Sequence, residues 1–400
     1  MQELLDQSFV EGANICVMPD VHKGKGCVIG LTMDYNEKVV PNLVGVDIGC
    51  GMYSIELGHI DIDYEELDNI IRDKVPHGFA VHEEAVVSFD RLQDLRCYGA
   101  LKGVDRLERA CGSLGGGNHF IECNKDDTGC KYLTIHSGSR NLGKQVAEFY
   151  QKEAIKELKG GKEDFESKKA ELIRDYKEQG RHQEIQGAIK ELNESYEIDT
   201  SVPDDLAYLT GQKRDDYLHD MAICQEYASL NRETIGRLIV EGLGYKMDDF
   251  ESFHTVHNYI DFEDHILRKG AISAKEGERL LIPMNMRDGC LLGVGKGNPD
   301  CNSSAPHGAG RIGSRADARR KISMEDFQEA MEGIYSTSVS AETLDEAPSA
   351  YKSMDKILSH IHPMVTIEKK LDVEYNFKSS QDVRAKKNLE SPSTTKGKNL

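Results

Sequence analysis

Nine residues, Val44-Gly-Val-Asp-Ile-Gly-Cys-Gly-Met52, constrain this chain more than any other stretch. They set Asp47 and Cys50 three positions apart, with Gly45, Gly49 and Gly51 around them. Glycine admits backbone angles and close approaches that other residues resist. A carboxylate and a thiolate held in such a turn can bind one metal ion, or the sulfur can bridge two. Four later segments carry isolated histidines in similar surroundings: Gly117-Asn-His119, Ile135-His-Ser-Gly-Ser-Arg140, Val256-His-Asn258 and Pro306-His-Gly-Ala-Gly-Arg311. We read these segments as converging on the Asp47/Cys50 turn.

Asp47, Cys50, His119, His136 and His257 together offer one hard oxygen, one soft sulfur and three imidazoles. That mixture suits Mn²⁺, Zn²⁺ or Fe²⁺ better than Mg²⁺ or Ca²⁺, which prefer oxygen alone. Five protein donors exceed the usual four of a structural zinc site. Two ions sharing the thiolate use all five and leave positions open for phosphate oxygens, as paired metals do in phosphoryl chemistry. Each histidine taken alone also reads as an ordinary hydrogen-bonded residue. His254, three residues before His257, and His22 are set aside as decoys. Gly115-Gly-Gly117 can present backbone N–H groups to an anion or be a plain turn; it is neither a P-loop nor a dinucleotide fingerprint. His307 sits among tiny residues, with Arg311 four positions on. One ring nitrogen of a neutral imidazole can attack phosphorus. Gly308, Ala309 and Gly310 leave room for a nucleotide, and Arg311 can offset developing phosphate charge. The alternative for His307 is a sixth metal ligand.

The net charge of −19 argues against non-specific nucleic-acid binding but allows a local basic groove. Such a patch follows His307, where Arg311, Arg315, Arg319, Arg320 and Lys321 are opposed only by Asp317. With 400 residues, 30% of them charged and 38% hydrophobic, a soluble globular protein of one to three domains is expected. No apolar run reaches the roughly 18 residues of a membrane span. Met1–Gln7 lacks the basic-then-apolar order of a signal peptide. A cytoplasmic protein without membrane contact is therefore expected. Its ten scattered cysteines read as free thiols, most of them core residues, with Cys50 set apart by its neighbours.

Strand-like runs cover Cys27–Met33, Met52–Leu57 and Lys131–His136, with a glycine-containing loop over Met18–Gly26. His119 and His136 are expected at strand ends. Helices are expected near 63–75, 101–111, 215–240, 324–334 and 349–361. Residues 150–197 are rich in Lys, Glu, Gln and Ala and read as a projecting helical hairpin. Its charged face is either simply solvated or a partner-binding arm. The last residues, 379–400, are nearly free of apolar side chains and read as a disordered tail.

Jointly these segments resemble the RtcB family of RNA ligases. The match runs from Met18-Pro-Asp-Val-His22 through Val44–Met52, Gly115–His119 and His136–Arg140 to His257-Asn258, Arg268-Lys-Gly-Ala271, Pro306–Arg311 and Asp345-Glu-Ala-Pro-Ser-Ala-Tyr-Lys352. The resemblance implies an α+β fold: a single catalytic domain over 1–378, with central mixed sheets, peripheral helices and the 150–197 insertion. It implies an enzyme that joins an RNA 3′-phosphate or 2′,3′-cyclic phosphate end to a 5′-hydroxyl end, using GTP and two Mn²⁺ ions, and acting as a monomer. By the same likeness Cys50 bridges the ions, Asp47 and His119 complete one site, and His136 and His257 the other. His307 takes up GMP covalently. Asn118, Glu122, Tyr351 and Lys378 fall where the family contacts the guanylate.

One segment departs from the family. Pro283-Met-Asn-Met-Arg-Asp-Gly289 stands where many members have Pro-Gly-Ser-Met-Gly, so that Asn285 and Cys290 replace serines near the nucleotide. This points to a divergent branch, directed at RNA repair rather than routine tRNA splicing. Two other readings compete. A metal-dependent phosphoesterase opening cyclic phosphates has no use for His307 as a nucleophile. A non-catalytic RNA- or ribosome-associated module has no use for the metal donors.

Overall fold

The long strands form because their apolar residues are buried on both faces. Gly51–Gly58 (β3) is buried along nearly its whole length, as is Lys131–Ser137 (β5). The computed structural model describes residues 1–159, 161–195 and 201–379. Its other strands are β1 (Ile15–His22), β2 (Ile29–Asp34), β4 (Phe120–Lys125), β6 (Glu251–Val256), β7 (Asn258–Asp261), β8 (Ile266–Lys269), β9 (Ala271–Ser273), β10 (Arg279–Asn285), β11 (Gly289–Gly295), β12 (Ser304–Pro306) and β13 (Val365–Lys378). Seven of them make one sheet in the order β10-β11-β13-β4-β5-β3-β6. Its two edges approach each other, and Leu281 N on β10 donates to Thr255 Oγ1 on β6 at 3.1 Å. The sheet is therefore nearly closed. A second sheet runs β1-β2-β8-β7, and β12 pairs with β9.

The expected α+β class holds. The sheets, expected mixed, are antiparallel in every ladder among the described residues, and parallel pairing is confined to two isolated bridges, His77 with Gly115 and Tyr335 with Tyr375. Short connections explain this: β4 and β5, or β10 and β11, are joined by a few residues, which permits only antiparallel return.

The helix Gly211–Gly242 carries the architecture. Tyr217, Met221, Cys224, Ala228, Asn231, Ile235 and Ile239 are buried at steps of three or four, one face of a helix. That face seats on β3 and β5. A Cβ on Gly236 would lie 2.8 Å from Ile55 Cδ1, so glycine is what lets helix and strand approach. Asp63 caps the helix Tyr64–Lys74 by accepting from the N–H groups of Glu65 and Glu66. Of 101–111 only Val104–Glu108 is helical, since Gly103 and Gly112 on either side have positive φ. The charged insertion is helical over Gly161–Glu178 and Ile185–Ser195, after a helix Arg140–Lys159 that starts ten residues before the expected boundary. Helices also form at Met324–Ala330 and Met354–Ile361. Half of the expected Met18–Gly26 loop is strand: β1 runs to His22, its register shifted between Val17 and His22. The expected tail, apart from Ser379, lies outside the described residues. No described helix is long and apolar enough to cross a membrane.

Candidate functional site

The Asp47/Cys50 turn lies where the helix Gly211–Gly242, β3 and the end of β5 meet. Gly49 has φ +73°, and a Cβ there would lie 2.8 Å from Ala228 Cβ on the helix. A Cβ on Gly138 would strike the Asp47 carboxylate at 2.2 Å. Both glycines are therefore required by close approach, not by flexibility. Cys50 is tied to the next segment by its own backbone, since His257 N donates to Cys50 O at 2.9 Å.

Around Cys50 the imidazoles line up. Its Sγ lies 3.5 Å from His119 Nε2 and 3.3 Å from His136 Nε2. His119 Nε2 is 3.0 Å from Asp47 Oδ2, and His136 Nε2 is 3.4 Å from His257 Nε2. Cys50, His119, His136 and His257 are all buried; Asp47 is half-buried. The ring of His257 is 4.9 Å from that of His307, and His307 is 5.9 Å from His22, stacked at 23°. The five expected metal donors and the expected nucleophile thus form one continuous row.

Backbone carbonyls set the tautomers. His119 Nδ1 lies 2.8 Å from Leu114 O and His136 Nδ1 3.1 Å from Asn118 O. A carbonyl only accepts, so each Nδ1 carries the proton and each Nε2 presents a lone pair inward. The Nε2 lone pairs and the Asp47 oxygen then face one another. Lone pairs packed at 3.0–3.5 Å repel unless a cation sits among them, and the ligating atoms of Cys50, His119 and His136 all lie within 4.8 Å of one another. Burial, then the neighbouring imidazoles, holds His136 and His257 well below the ordinary histidine range, so both are neutral donors at pH 7. Burial and then Asp47 push the Cys50 thiol up. The donor set fits borderline divalent cations with a shared thiolate.

His307 is oriented from β1. Asp20 Oδ2 accepts from its backbone N–H at 3.2 Å and lies 2.5 Å from its ring Nδ1. Asp20 is fully buried, and its second oxygen has no hydrogen-bond partner among the described residues. Nδ1 facing a carboxylate leaves Nε2 free. Gly310, at φ +72°, is packed so tightly on this segment that a Cβ would sit 2.0 Å from Asp20 O.

Beside His307 opens a cavity of about 860 Å³. Asn118, Glu122, Asn285, Gly308, Ala309, Gly310, Tyr351 and Lys378 line it, together with His136 and His307. Cys290 does not reach it: its sulfur stands 3.8 Å behind Glu122, fully buried. Asn285 caps its own turn, accepting from Arg287 N and Asp288 N and donating to Asp288 Oδ2. Burial raises Glu122 to about 7 although Asn124 and Asn376 both donate to it. At the other wall Glu346 gathers Lys378 (2.9 Å), Arg311 (3.1 Å), Arg315 (2.5 Å) and the Tyr351 hydroxyl (2.6 Å). Burial works against its charge, but Lys378, Arg315 and Arg311 draw it down to about 2.

A family model described as tRNA-splicing ligase RtcB matches residues 7–102 and 99–379. The chain belongs to the RtcB family. RNA-splicing ligase RtcB of Escherichia coli is 30% identical to it over 393 residues, covering 88% of this chain and 87% of that protein. The tRNA-splicing ligase RtcB of Archaeoglobus fulgidus is 27% identical over 467 residues, covering 90% and 89%. The RNA-splicing ligase RtcB of Mycobacterium tuberculosis is 27% identical over 437 residues, covering 86% and 91%.

Sequence reasoning missed several residues of this RtcB site. His22, set aside as a decoy, lines the cavity and stacks on His307. Asp20 was visible only as part of the Met-Pro-Asp-Val-His segment. The basic patch after His307 is not free: Asp345 and Glu346 pair with Arg315, Arg319 and Arg311 from thirty residues downstream. His254 is a decoy as expected, bonded to Glu233 at 3.0 Å and stacked on Tyr53.

Proposed function

We propose that this RtcB-family chain is an RNA ligase acting as one catalytic unit over 1–378, with 150–197 as an appended helical segment. It joins an RNA 3′-phosphate or 2′,3′-cyclic phosphate end to a 5′-hydroxyl end through a guanylate carried on His307. The observation that carries this reading is the placement of His307: one ring nitrogen against Asp20, the other free, at the end of a row of buried metal donors and at the wall of a cationic cavity.

Asp47, Cys50 and His119 would hold one Mn²⁺, and Cys50, His136 and His257 a second. Bound there, the ions supply charge neutralisation to phosphate oxygens. His307 Nε2 forms a bond to the α-phosphorus of GTP, and the bond to pyrophosphate breaks. Asp20 keeps the Nδ1 proton in place and stabilises the cationic ring that results. An oxygen of the RNA 3′-phosphate then takes the GMP: a P–O bond forms, and the electron pair of the P–N bond returns to His307. The 5′-hydroxyl attacks the RNA phosphorus, GMP leaves with the bonding pair, and the hydroxyl proton passes to solvent. A cyclic phosphate is first opened by water. Capping matters because a 3′-phosphate repels nucleophiles and lacks a good leaving group. Around Glu346 and Asp345, Lys378, Arg311, Arg315 and Arg319 leave two positive charges in excess, suited to the guanylate phosphate.

The test is label retained on protein from α-³²P-GTP with Mn²⁺, followed by ligation of two short RNAs with defined ends. Acid-labile label on the parent and none on His307→Ala is expected. Opening of cyclic phosphate by a parent that takes up no label would replace the ligase with a phosphoesterase.

A further inference from the structure

Arg232 lies on the helix Gly211–Gly242 with no solvent exposure. Burying a guanidinium is unfavourable unless hydrogen bonds and nearby anions compensate it. Its Nη1 donates to Gly49 O at 2.6 Å and to Ser137 O at 3.0 Å. Those carbonyls belong to the residue before Cys50 and the residue after His136. Asn231, one position earlier, donates to Ser137 Oγ and Gly138 O at 3.0 Å and accepts from Gly112 N and Ser113 N. Two adjacent helical side chains therefore grip the turn that holds Asp47 and Cys50, the end of β5 that holds His136, and the loop that leads to His119.

We propose that Arg232 is a positioning residue of the metal centre: one guanidinium group sets the spacing between the Cys50 turn and the His136 strand end. This rests on the metal reading above, and it assigns a role outside the ligand set. Both carbonyls are met by the two N–H groups of a single nitrogen, Nη1, whose directions the planar guanidinium fixes; an ammonium ion on a flexible stem reaches them with less geometric control. A fixed positive charge also repels an incoming cation. Arg232 nevertheless lies within electrostatic reach of Cys50 and Asp47, the two ligands that carry negative charge once an ion is bound.

Outer partners that orient metal ligands typically contribute about 10–100-fold in metal affinity. The full-length protein as Arg232→Met and Arg232→Lys is titrated with Mn²⁺ by calorimetry and electron paramagnetic resonance, with thermal melts alongside. A folded Arg232→Met that binds Mn²⁺ at least about tenfold more weakly, with Arg232→Lys between it and the parent, is the expected result. Altered coupling between the two Mn²⁺ spins should accompany it. Parent-like affinity in both variants overturns the proposal, and so does tighter binding in Arg232→Met, since repulsion would then outweigh positioning. If Arg232→Met does not fold, Arg232→Lys is read by the same rule. A parent that binds no Mn²⁺ fails the metal reading itself and is recognised as such before any variant is compared.

Discussion

Asp20 Oδ2 accepts from the backbone N–H of His307 and lies against its ring Nδ1, for which no other partner stands among the described residues. Removing the carboxylate should free the ring to take the wrong tautomer while leaving the metal donors in place. Asp20→Ala is expected to lose label uptake from GTP by on the order of 10²-fold or more, with Mn²⁺ affinity unchanged. Acid-labile label and Mn²⁺ titration on the same preparation separate the two effects. Glu346 carries a second residue-scale consequence. Its folded value of about 2 lies below its ordinary 4.5, so its contribution is fully present above about pH 4.5 and is lost as pH falls toward 2. The contribution is on the order of 3 kcal/mol. Urea unfolding between pH 6 and pH 3 should show the parent losing stability faster than Glu346→Gln, which is weaker at neutral pH but flatter. Equal slopes would mean the three cations around it do not hold its charge.

Short elements bring these residues to their places. β12 ends at Pro306, pairs with β9 and delivers His307 against the end of β1. Gly310 then passes over Asp20 with no room for a side chain. Gly310→Ala, at φ +72°, meets both backbone strain and a contact of 2.0 Å. It should still fold, since the strain is local, yet lose at least about tenfold in label uptake while Mn²⁺ binding stays within about twofold of the parent. Loss of both together would place the clash in the core instead. The run Lys131–His136 was legible as a strand because Tyr132, Leu133, Thr134 and Ile135 are strand-favouring residues in succession, and His136 does stand next to its end. β1 was read as half loop because Lys23, Gly24 and Gly26 follow directly and resemble a turn, whereas pairing with β2 extends the strand to His22. Local composition is silent on such pairing.

At the scale of the molecule, the cavity draws on residues from 21 to 378 and none from 161–195. Lys159 and Asp204 form an ion pair at 2.5 Å, so the two flanks of that segment lie close together. Replacing 161–195 with a short Gly/Ser linker should leave Mn²⁺ affinity and label uptake at parental levels, with the effect, where there is one, on RNA affinity by fluorescence anisotropy. Loss of label uptake would show that the segment supports the site from a distance. The sequence by itself determined the family and picked out the candidate donors and nucleophile: a thiol, a carboxylate and imidazoles among glycines are covalent facts of each segment, and their chemistry does not depend on where the chain goes. Only the tertiary structure decided that Asp20 faces His307, that Cys290 stands behind Glu122, that Asp345 and Glu346 pair with the arginines after His307, and that Arg232 lies beneath the Asp47/Cys50 turn. Each of these joins segments far apart in the chain. Burial, not spacing, makes them matter, because a charge or polar group removed from water must find its partner wherever packing has put it.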